Sequence, residues 1–223
     1  MVNIYCINLD HRTDRWAECT ANYEEHGLSL SAVRRWSAVS QPEFGALGCA
    51  KSHVAVLAHF LSQSNAQHCL VLEDDFDFVR PWNELAVRFD QVVAQRIEWD
   101  VLLLMGTAVG AYPPSSPGIA RVFQSQSTAG YLVGRKYAPL LLGCFAESIP
   151  ELEAFHGTVL QNYCVTRSAI DVGWQALQRR DRWYIFSPAF GRQRESYSDV
   201  EGIRVNYDTF TYGLEERADA TSD

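Results

Sequence analysis

Apolar positions along this chain follow two periods, and these periods separate predicted strands from predicted helices. Apolar runs, typical of strands buried on both faces, occur at residues 2–9, where Asn3 and Asn8 interrupt the run, and without interruption at residues 69–72 and 101–105. Weaker β-like runs occur at residues 33–38, 120–124, 128–133 and 183–186. Apolar residues at helical spacing predict helices at residues 14–25, 49–61, 82–97, 136–146 and 171–178. Strands that alternate with helices predict an α/β fold with one mainly parallel, Rossmann-like sheet flanked by helices.

A single domain is predicted over residues 1–213, because a chain of 223 residues is of a length that suits one core. The domain is predicted to have two halves, residues 1–105 and residues 119–213. Residues 106–118 contain three prolines and three glycines, which predicts a flexible flap. The stretch 148–168 is ambiguous, and the acidic end, residues 214–223, predicts a flexible tail.

Composition and charge limit the binding partners and the cellular compartment that are expected for this protein. The net charge is −8, with 19 Lys plus Arg against 27 Asp plus Glu, and no long basic tract occurs, so nucleic acid is a poor partner. The six cysteines form no C-x-x-C pair, which predicts reduced thiols and a cytoplasmic protein. No apolar run approaches the ~18 residues of a transmembrane segment.

The strongest chemical signal is the apolar strand that ends in Glu73, Asp74 and Asp75, with Asp77 close behind. Ligands of open α/β sheets bind at the carboxyl ends of strands, and carboxylates there can hold Mg²⁺ or Mn²⁺ against substrate phosphates. Because alternate side chains of a strand share a face, Glu73 and Asp75 are predicted to point together, unless the strand has already turned. Asp75 is therefore the predicted metal ligand, with Glu73 as its partner and Asp77 in reserve.

The chain resembles glycosyltransferase family 25, the lipooligosaccharide and collagen β-galactosyltransferase family. Five segments carry the resemblance in the family's order: NLDHRTDR at residues 8–15, GCAKSH at 48–53, LEDD at 72–75, DVLLL at 100–104 and TAGYLV at 128–133. The resemblance spans roughly residues 3–200. It implies a GT-A type fold, a divalent metal (Mn²⁺ or Mg²⁺), a nucleotide-sugar donor and inversion at the anomeric carbon. The family's usual donor is UDP-galactose. The longer segment 148–168 and the acidic tail depart from the family pattern.

With a nucleotide-sugar donor, the remaining polar residues of these segments acquire candidate roles. Arg12 and Arg15 could hold phosphate by charge-assisted hydrogen bonds, and Asn8 could bind the base. Lys51 at a helix start could add a cation near phosphate, and Asp74 could contact the ribose. The neighbouring Ser52 and His53 could line the site, although a lone histidine beside an apolar helix face is more often structural.

An inverting transfer also needs a group that accepts a proton from the acceptor hydroxyl. Asp171 is the predicted base because it lies in the presumed acceptor half, and Asp199 is the second candidate. The acceptor is expected to be a glycan, a lipid-linked molecule or a protein, as in lipopolysaccharide biosynthesis, with peripheral attachment to the inner membrane as an alternative to a purely cytoplasmic location. Two other functions stay open: a metal-dependent phosphohydrolase, and a catalytically inactive nucleotide-sugar-binding domain.

Overall fold

The structure is a computed structural model that describes residues 2–197, 204–205 and 212. Eight strands form the central sheet: β1 (Val2–Asn8), β2 (Val33–Ser37), β3 (His68–Glu73), β5 (Val101–Leu103), β6 (Thr107–Ala111), β7 (Ile119–Gln126), β8 (Gly130–Gly134) and β9 (Trp183–Phe186). Two short pairs lie outside it: β4 (Phe76–Phe78) with β10 (Gly191–Gln193), and β11 (Ser196–Tyr197) with β12 (Arg204–Val205).

The helices are α1 (Thr13–Glu25), α2 (Gly45–Gln63), α3 (Trp82–Ala94), α4 (Ala138–Phe155), α5 (Gln161–Ser168), α6 (Ile170–Gly173) and α7 (Gln175–Arg180), with a 3₁₀ turn at Leu30–Ala32. No helix among the described residues is both long enough and apolar enough to cross a membrane. All six cysteines are free.

The strand order of the central sheet is β2-β1-β3-β8-β5-β9-β7-β6. Six of these strands run in one direction, and only β7 and β8 run against them. The predicted α/β class with one mainly parallel sheet flanked by helices is therefore confirmed. Because β8 of the second half lies between β3 and β5 of the first, the two predicted halves share one sheet.

Both faces of the sheet are buried, which explains the continuous apolar runs. Along β3, Val71 packs into the apolar cluster that contains residues of α2 and α4, whereas Leu70 and Leu72 pack into the opposite cluster with residues of α1 and α3. Successive side chains of a strand point to opposite faces. Replacing an apolar residue of β3 would therefore leave a gap in one of the two clusters.

Three sequence-based expectations for secondary structure need correction. Residues 107–111 are not part of a flap but form β6, which pairs with β7, and the three prolines all follow this strand. The short strands β4 and β10 were missed, since Asp77 interrupts the apolar pattern of β4. In the ambiguous segment 148–168, α4 continues past its predicted end to Phe155, and α5 follows.

Candidate functional site

The carboxyl ends of β1 and β3 lie side by side, because the two strands pair in parallel with Ile7 opposite Glu73. This register brings Asn8, at the end of β1, next to the acidic residues that follow β3. Asn8 is 1% exposed, and its side-chain amide donates a hydrogen bond to Asp74 Oδ2 at 2.5 Å. The two segments therefore lie together at this edge of the sheet.

Arg15 joins the two aspartates of the acidic run. Its Nη2 lies 2.8 Å from Asp74 Oδ1 and 2.5 Å from Asp75 Oδ2, and all three side chains are buried. Arg15 reaches this position because the chain turns directly after β1 and enters α1. A single guanidinium therefore faces two carboxylates at the end of the sheet.

The backbone has already turned at Asp74 and Asp75, since β3 ends at Glu73. The alternation of side chains along the strand therefore ends at Glu73. The argument from alternation that predicted Glu73 and Asp75 to point together fails for this reason. Glu73 points instead toward α2 and β8: its Oε1 accepts hydrogen bonds from Thr128 Oγ1 at 2.6 Å and from His53 Nε2 at 3.1 Å.

Helix α2 contributes two buried polar residues to this region. His53 is fully buried, and its Nδ1 lies 3.0 Å from the Tyr131 hydroxyl. Ser52 donates to the Gly48 carbonyl at 2.7 Å and accepts the Val39 amide at 2.8 Å, so it ties α2 to the loop that follows β2. Both residues line a cavity at this end of the sheet.

Burial and neighbouring charges shift the pKa values of the three consecutive acids, Glu73, Asp74 and Asp75, in different directions. Burial, opposed by the Arg15 charge and assisted by the Asp75 charge, raises the pKa of Asp74 to about 7. Burial also raises the pKa of Asp75, opposed by the Arg15 charge and assisted by the Glu73 charge. For Glu73 burial also acts upward, but the hydrogen bonds from His53 and Thr128 outweigh it and the pKa falls below its usual value. Glu73 is the member of the run best held in its ionised form.

Two adjoining cavities open at this end of the sheet. The first cavity, of about 200 Å³, is lined by residues of the β1 and β3 ends, the loop 38–42 and α2: Asn8, His11, Arg15, Gln41, Ser52, His53, Glu73, Asp74 and Asp75 are among them. The second cavity, of about 250 Å³, is lined by residues of β7, α5 and α6: Gln126, Ser127, Thr128, Thr166 and Asp171 are among them. Cys49, Glu73 and Gln193 line both cavities, so they form a shared wall.

Asp171, the predicted base, lines the second cavity from the first turn of α6. Its Oδ2 accepts the backbone N–H of Ser127 at 3.0 Å, which fixes the carboxylate against β7. Asp199, the second candidate, lies outside the described residues.

Three other predicted site residues line neither cavity. Arg12 forms an ion pair with Asp14 at 3.0 Å, and Lys51 forms one with Glu153 of α4 at 2.8 Å. Asp77 points toward Arg194, with Oδ1 2.5 Å from Nη2, because it belongs to β4.

Two partly buried polar contacts were not foreseen from the sequence. Arg35 of β2 donates from Nε to Asn8 Oδ1 at 2.9 Å, and Gln193 donates to Asp75 Oδ2 at 3.2 Å. Arg35 lies opposite Cys6 in the parallel pairing of β1 with β2, so a correct strand pairing would have pointed to it. Gln193 lies 118 residues from Asp75 in sequence, and only the pairing of β10 with β4 brings it there.

Among the described residues, one buried carboxylate oxygen of the site is left without a hydrogen-bond partner, and it is Asp75 Oδ1. Asp74 uses both oxygens, toward Arg15 and Asn8. Cys49, His53 and Glu73 also offer ligand atoms within 4.8 Å of one another. In that group, however, His53 already spans Glu73 and Tyr131, and burial raises the pKa of the Cys49 thiol. The free oxygen of Asp75 is the better candidate for binding a hard divalent cation.

No family model and no curated protein matches this chain. Among solved structures, it is similar to A197 from STIV, with 10% identity, a TM-score of 0.46, and coverage of 92% of this chain and 95% of that one. A glycosyltransferase involved in the glycosylation of the major capsid of PBCV-1 matches with 10% identity, a TM-score of 0.42, and coverage of 83% and 92%.

A third solved structure, mannose-1-phosphate geranyltransferase from Thermus thermophilus, matches with 11% identity and a TM-score of 0.43 over 83% of this chain. The chain spans 59% of the length of that protein. Similarities at this level carry no argument about activity, so the function is argued below from the residues of the site.

Proposed function

We propose that this chain is a metal-dependent, inverting glycosyltransferase of the GT-A type. It would move a hexose, galactose from UDP-galactose by the sequence resemblance, to a hydroxyl of a glycan, lipid-linked or protein acceptor. The observation that carries the proposal is the pair of cavities that share the wall of Cys49, Glu73 and Gln193. A transferase needs two substrates whose reacting atoms meet, and two adjoining cavities provide for that.

The first cavity suits the donor. Arg15 supplies a buried guanidinium for diphosphate oxygens, and Asn8 supplies an amide beside it. Arg12 and Lys51 remain proposed contacts of the donor, but Arg15 is the stronger candidate because it lines the cavity.

The same cavity suits a divalent cation, since Asp74 and Asp75 share one guanidinium and Glu73 also lines the cavity. Asp75 would hold the cation through its free Oδ1, with Glu73 as the proposed second ligand and Asp77 in reserve. The chemistry that a bound cation supplies is neutralisation of the charge that develops on the departing diphosphate.

The second cavity suits the acceptor. Its described lining contains four hydroxyl side chains, two amides and two carboxylates, which can hydrogen-bond a hydroxylated molecule: Thr107, Ser127, Thr128, Thr166, Gln126, Gln193, Glu73 and Asp171. Asp171 is the proposed general base, which takes the proton of the attacking hydroxyl while the sugar's anomeric carbon inverts.

The test is to incubate the protein with a panel of nucleotide-sugars and Mn²⁺ and to measure both released nucleotide and transferred sugar. Asp75→Asn keeps the shape of the side chain but removes its charge, so transfer should fall about a hundredfold or more, and EDTA should have a similar effect on the wild type. Asp90→Asn, an exposed change of the same charge on α3, is the matched control. Normal transfer by Asp75→Asn, or activity that is indifferent to EDTA, would refute the metal assignment.

The same assay separates the two alternatives. Release of phosphate or nucleotide without sugar transfer would indicate a phosphohydrolase. Binding of a nucleotide-sugar without turnover would indicate an inactive binding domain. Proton NMR of the product then tests inversion, because an α-linked product from an α-linked donor means retention.

A further inference from the structure

A chain of buried hydrogen bonds ends on the residue where the two cavities meet. The Tyr131 hydroxyl and His53 Nδ1 lie 3.0 Å apart, and His53 Nε2 lies 3.1 Å from Glu73 Oε1. Tyr131 and His53 are both fully buried. A carboxylate only accepts hydrogen bonds, so the imidazole hydrogen lies on Nε2 and the tyrosine hydroxyl donates to Nδ1.

The two oxygens of Glu73 therefore differ. Oε1 receives two hydrogen bonds, from His53 Nε2 and from Thr128 Oγ1, whereas no described residue donates to Oε2. The side chain is 22% exposed and lines both cavities. An otherwise flexible glutamate is thus held by one oxygen, and its other oxygen is offered to a ligand.

Packing also fixes the imidazole that holds Glu73. The His53 ring stacks on Tyr131 with ring centroids 5.7 Å apart, and Phe145 contacts it edge-on at 5.8 Å. A ring that is packed on both sides cannot shift to accommodate a mobile carboxylate. The His53 ring therefore fixes the position of Glu73.

We infer that Glu73 binds a hydroxyl of the acceptor through Oε2, and that His53 is a positioning residue that acts through Glu73. This inference rests on the proposed function, and it replaces the metal-ligand role proposed above for Glu73 with a role in binding the acceptor. Its location supports that assignment, because the turn after Glu73 sends Asp74 and Asp75 toward Arg15 and leaves Glu73 on the side of Thr128. Asp171 keeps its separate role as the proposed base.

The test measures the acceptor KM, kcat and the donor Kd for Glu73→Gln, His53→Leu and His53→Gln. Glu73→Gln should raise the acceptor KM about tenfold or more, while the donor Kd and the Mn²⁺ requirement stay within about threefold. His53→Leu should have the same signature. His53→Gln should recover most of the loss, because its amide nitrogen can replace Nε2 as the donor to Glu73.

The double variant Glu73→Gln/His53→Leu supplies a readout that a merely structural role would not move. If His53 acts through Glu73, the double variant should be no worse than Glu73→Gln alone. Additive losses, or an unchanged acceptor KM in a folded Glu73→Gln protein, would overturn the inference. A higher Mn²⁺ requirement with an unchanged acceptor KM would return Glu73 to the metal.

These outcomes are distinguishable from failure of the proposed function. If the wild type transfers no sugar from any donor, the proposed function and the acceptor role of Glu73 fall together. If the wild type is active and only the acceptor KM values of the variants differ from expectation, the acceptor role of Glu73 is refuted while the proposed function stands.

Discussion

Gly48 is the position where the site depends most directly on the absence of a side chain. It lies within α2, and a Cβ built on it would stand 2.6 Å from the Val39 carbonyl oxygen and 3.2 Å from Gln41 Cβ. The closest atom belongs to the backbone, so it cannot rotate away. Helix α2 and the loop 38–42, a wall of the first cavity, can approach this closely only with glycine at position 48.

The Gly48→Ala variant should therefore be less stable than the wild type, although alanine is the better helix former. Restoring an ordinary contact requires the loop to move by about half an ångström, and such overpacking costs about 1–3 kcal/mol. The gain in helix propensity offsets about 1 kcal/mol of this cost. The net loss of up to about 2 kcal/mol should lower the Tm by up to about 8 °C for a chain of this size.

Gly143→Ala is the matched control, since Gly143 lies within α4 and a Cβ there meets no atom within 4 Å. That variant should raise the Tm by about 1–4 °C, which corresponds to about 0.5–1 kcal/mol. Calorimetry of both variants at the same pH measures the difference. A Gly48→Ala protein as stable as Gly143→Ala would refute the close approach of α2 and the loop.

Two further predictions concern charged residues. Asp181 accepts a hydrogen bond from Tyr137 at 2.7 Å and pairs with Arg180, whose hydrogen bond is the main cause that lowers the pKa of Asp181. A lowered folded pKa gives stability that is present above the unfolded pKa and lost as the pH falls through the folded one. Asp181→Asn should thus be about 1 kcal/mol less stable at pH 7, discounted for the exposure of Arg180, and denaturant titrations should show the difference shrinking below about pH 4. Arg12→Ala, if Arg12 holds donor phosphate as the sequence predicts, should weaken UDP binding measured by calorimetric titration. Equal affinities would refute a role of Arg12 in donor binding.

The fold was largely predictable because the apolar pattern of this chain is strong where both sheet faces are buried. The runs that became β1, β3 and β5 needed no tertiary information, since each is dominated by apolar residues. Strand order was not predictable. The insertion of β8 between β3 and β5 depends on contacts between segments about 30 to 60 residues apart, which no local pattern encodes.

The site was predictable where the chain itself brings residues together. Asn8 and Arg15 flank the turn from β1 into α1, and the parallel pairing of β1 with β3 adds the acidic run. The partners of that run were less accessible. Gln193 reaches Asp75 directly, whereas Arg35 reaches Asn8 and Tyr131 reaches His53. These three residues come from three other elements, and a residue type alone does not reveal which of many polar side chains will lie in the site.

The local geometry after β3 shows why residue identity did not fix the role of each acid. Had the strand continued, Glu73 and Asp75 would share one face and Asp74 the other. Because the backbone turns after Glu73, Asp74 and Asp75 instead share Arg15, while Glu73 joins His53 and Thr128. One guanidinium cannot offset burial and mutual repulsion for both aspartates, so burial raises the pKa of each, whereas two hydrogen-bond donors lower that of Glu73. The turn thus divides adjacent carboxylates into a pair that would gain from an added cation and a single carboxylate that is already stabilised, and this division supports a donor with its metal on one side and an acceptor on the other.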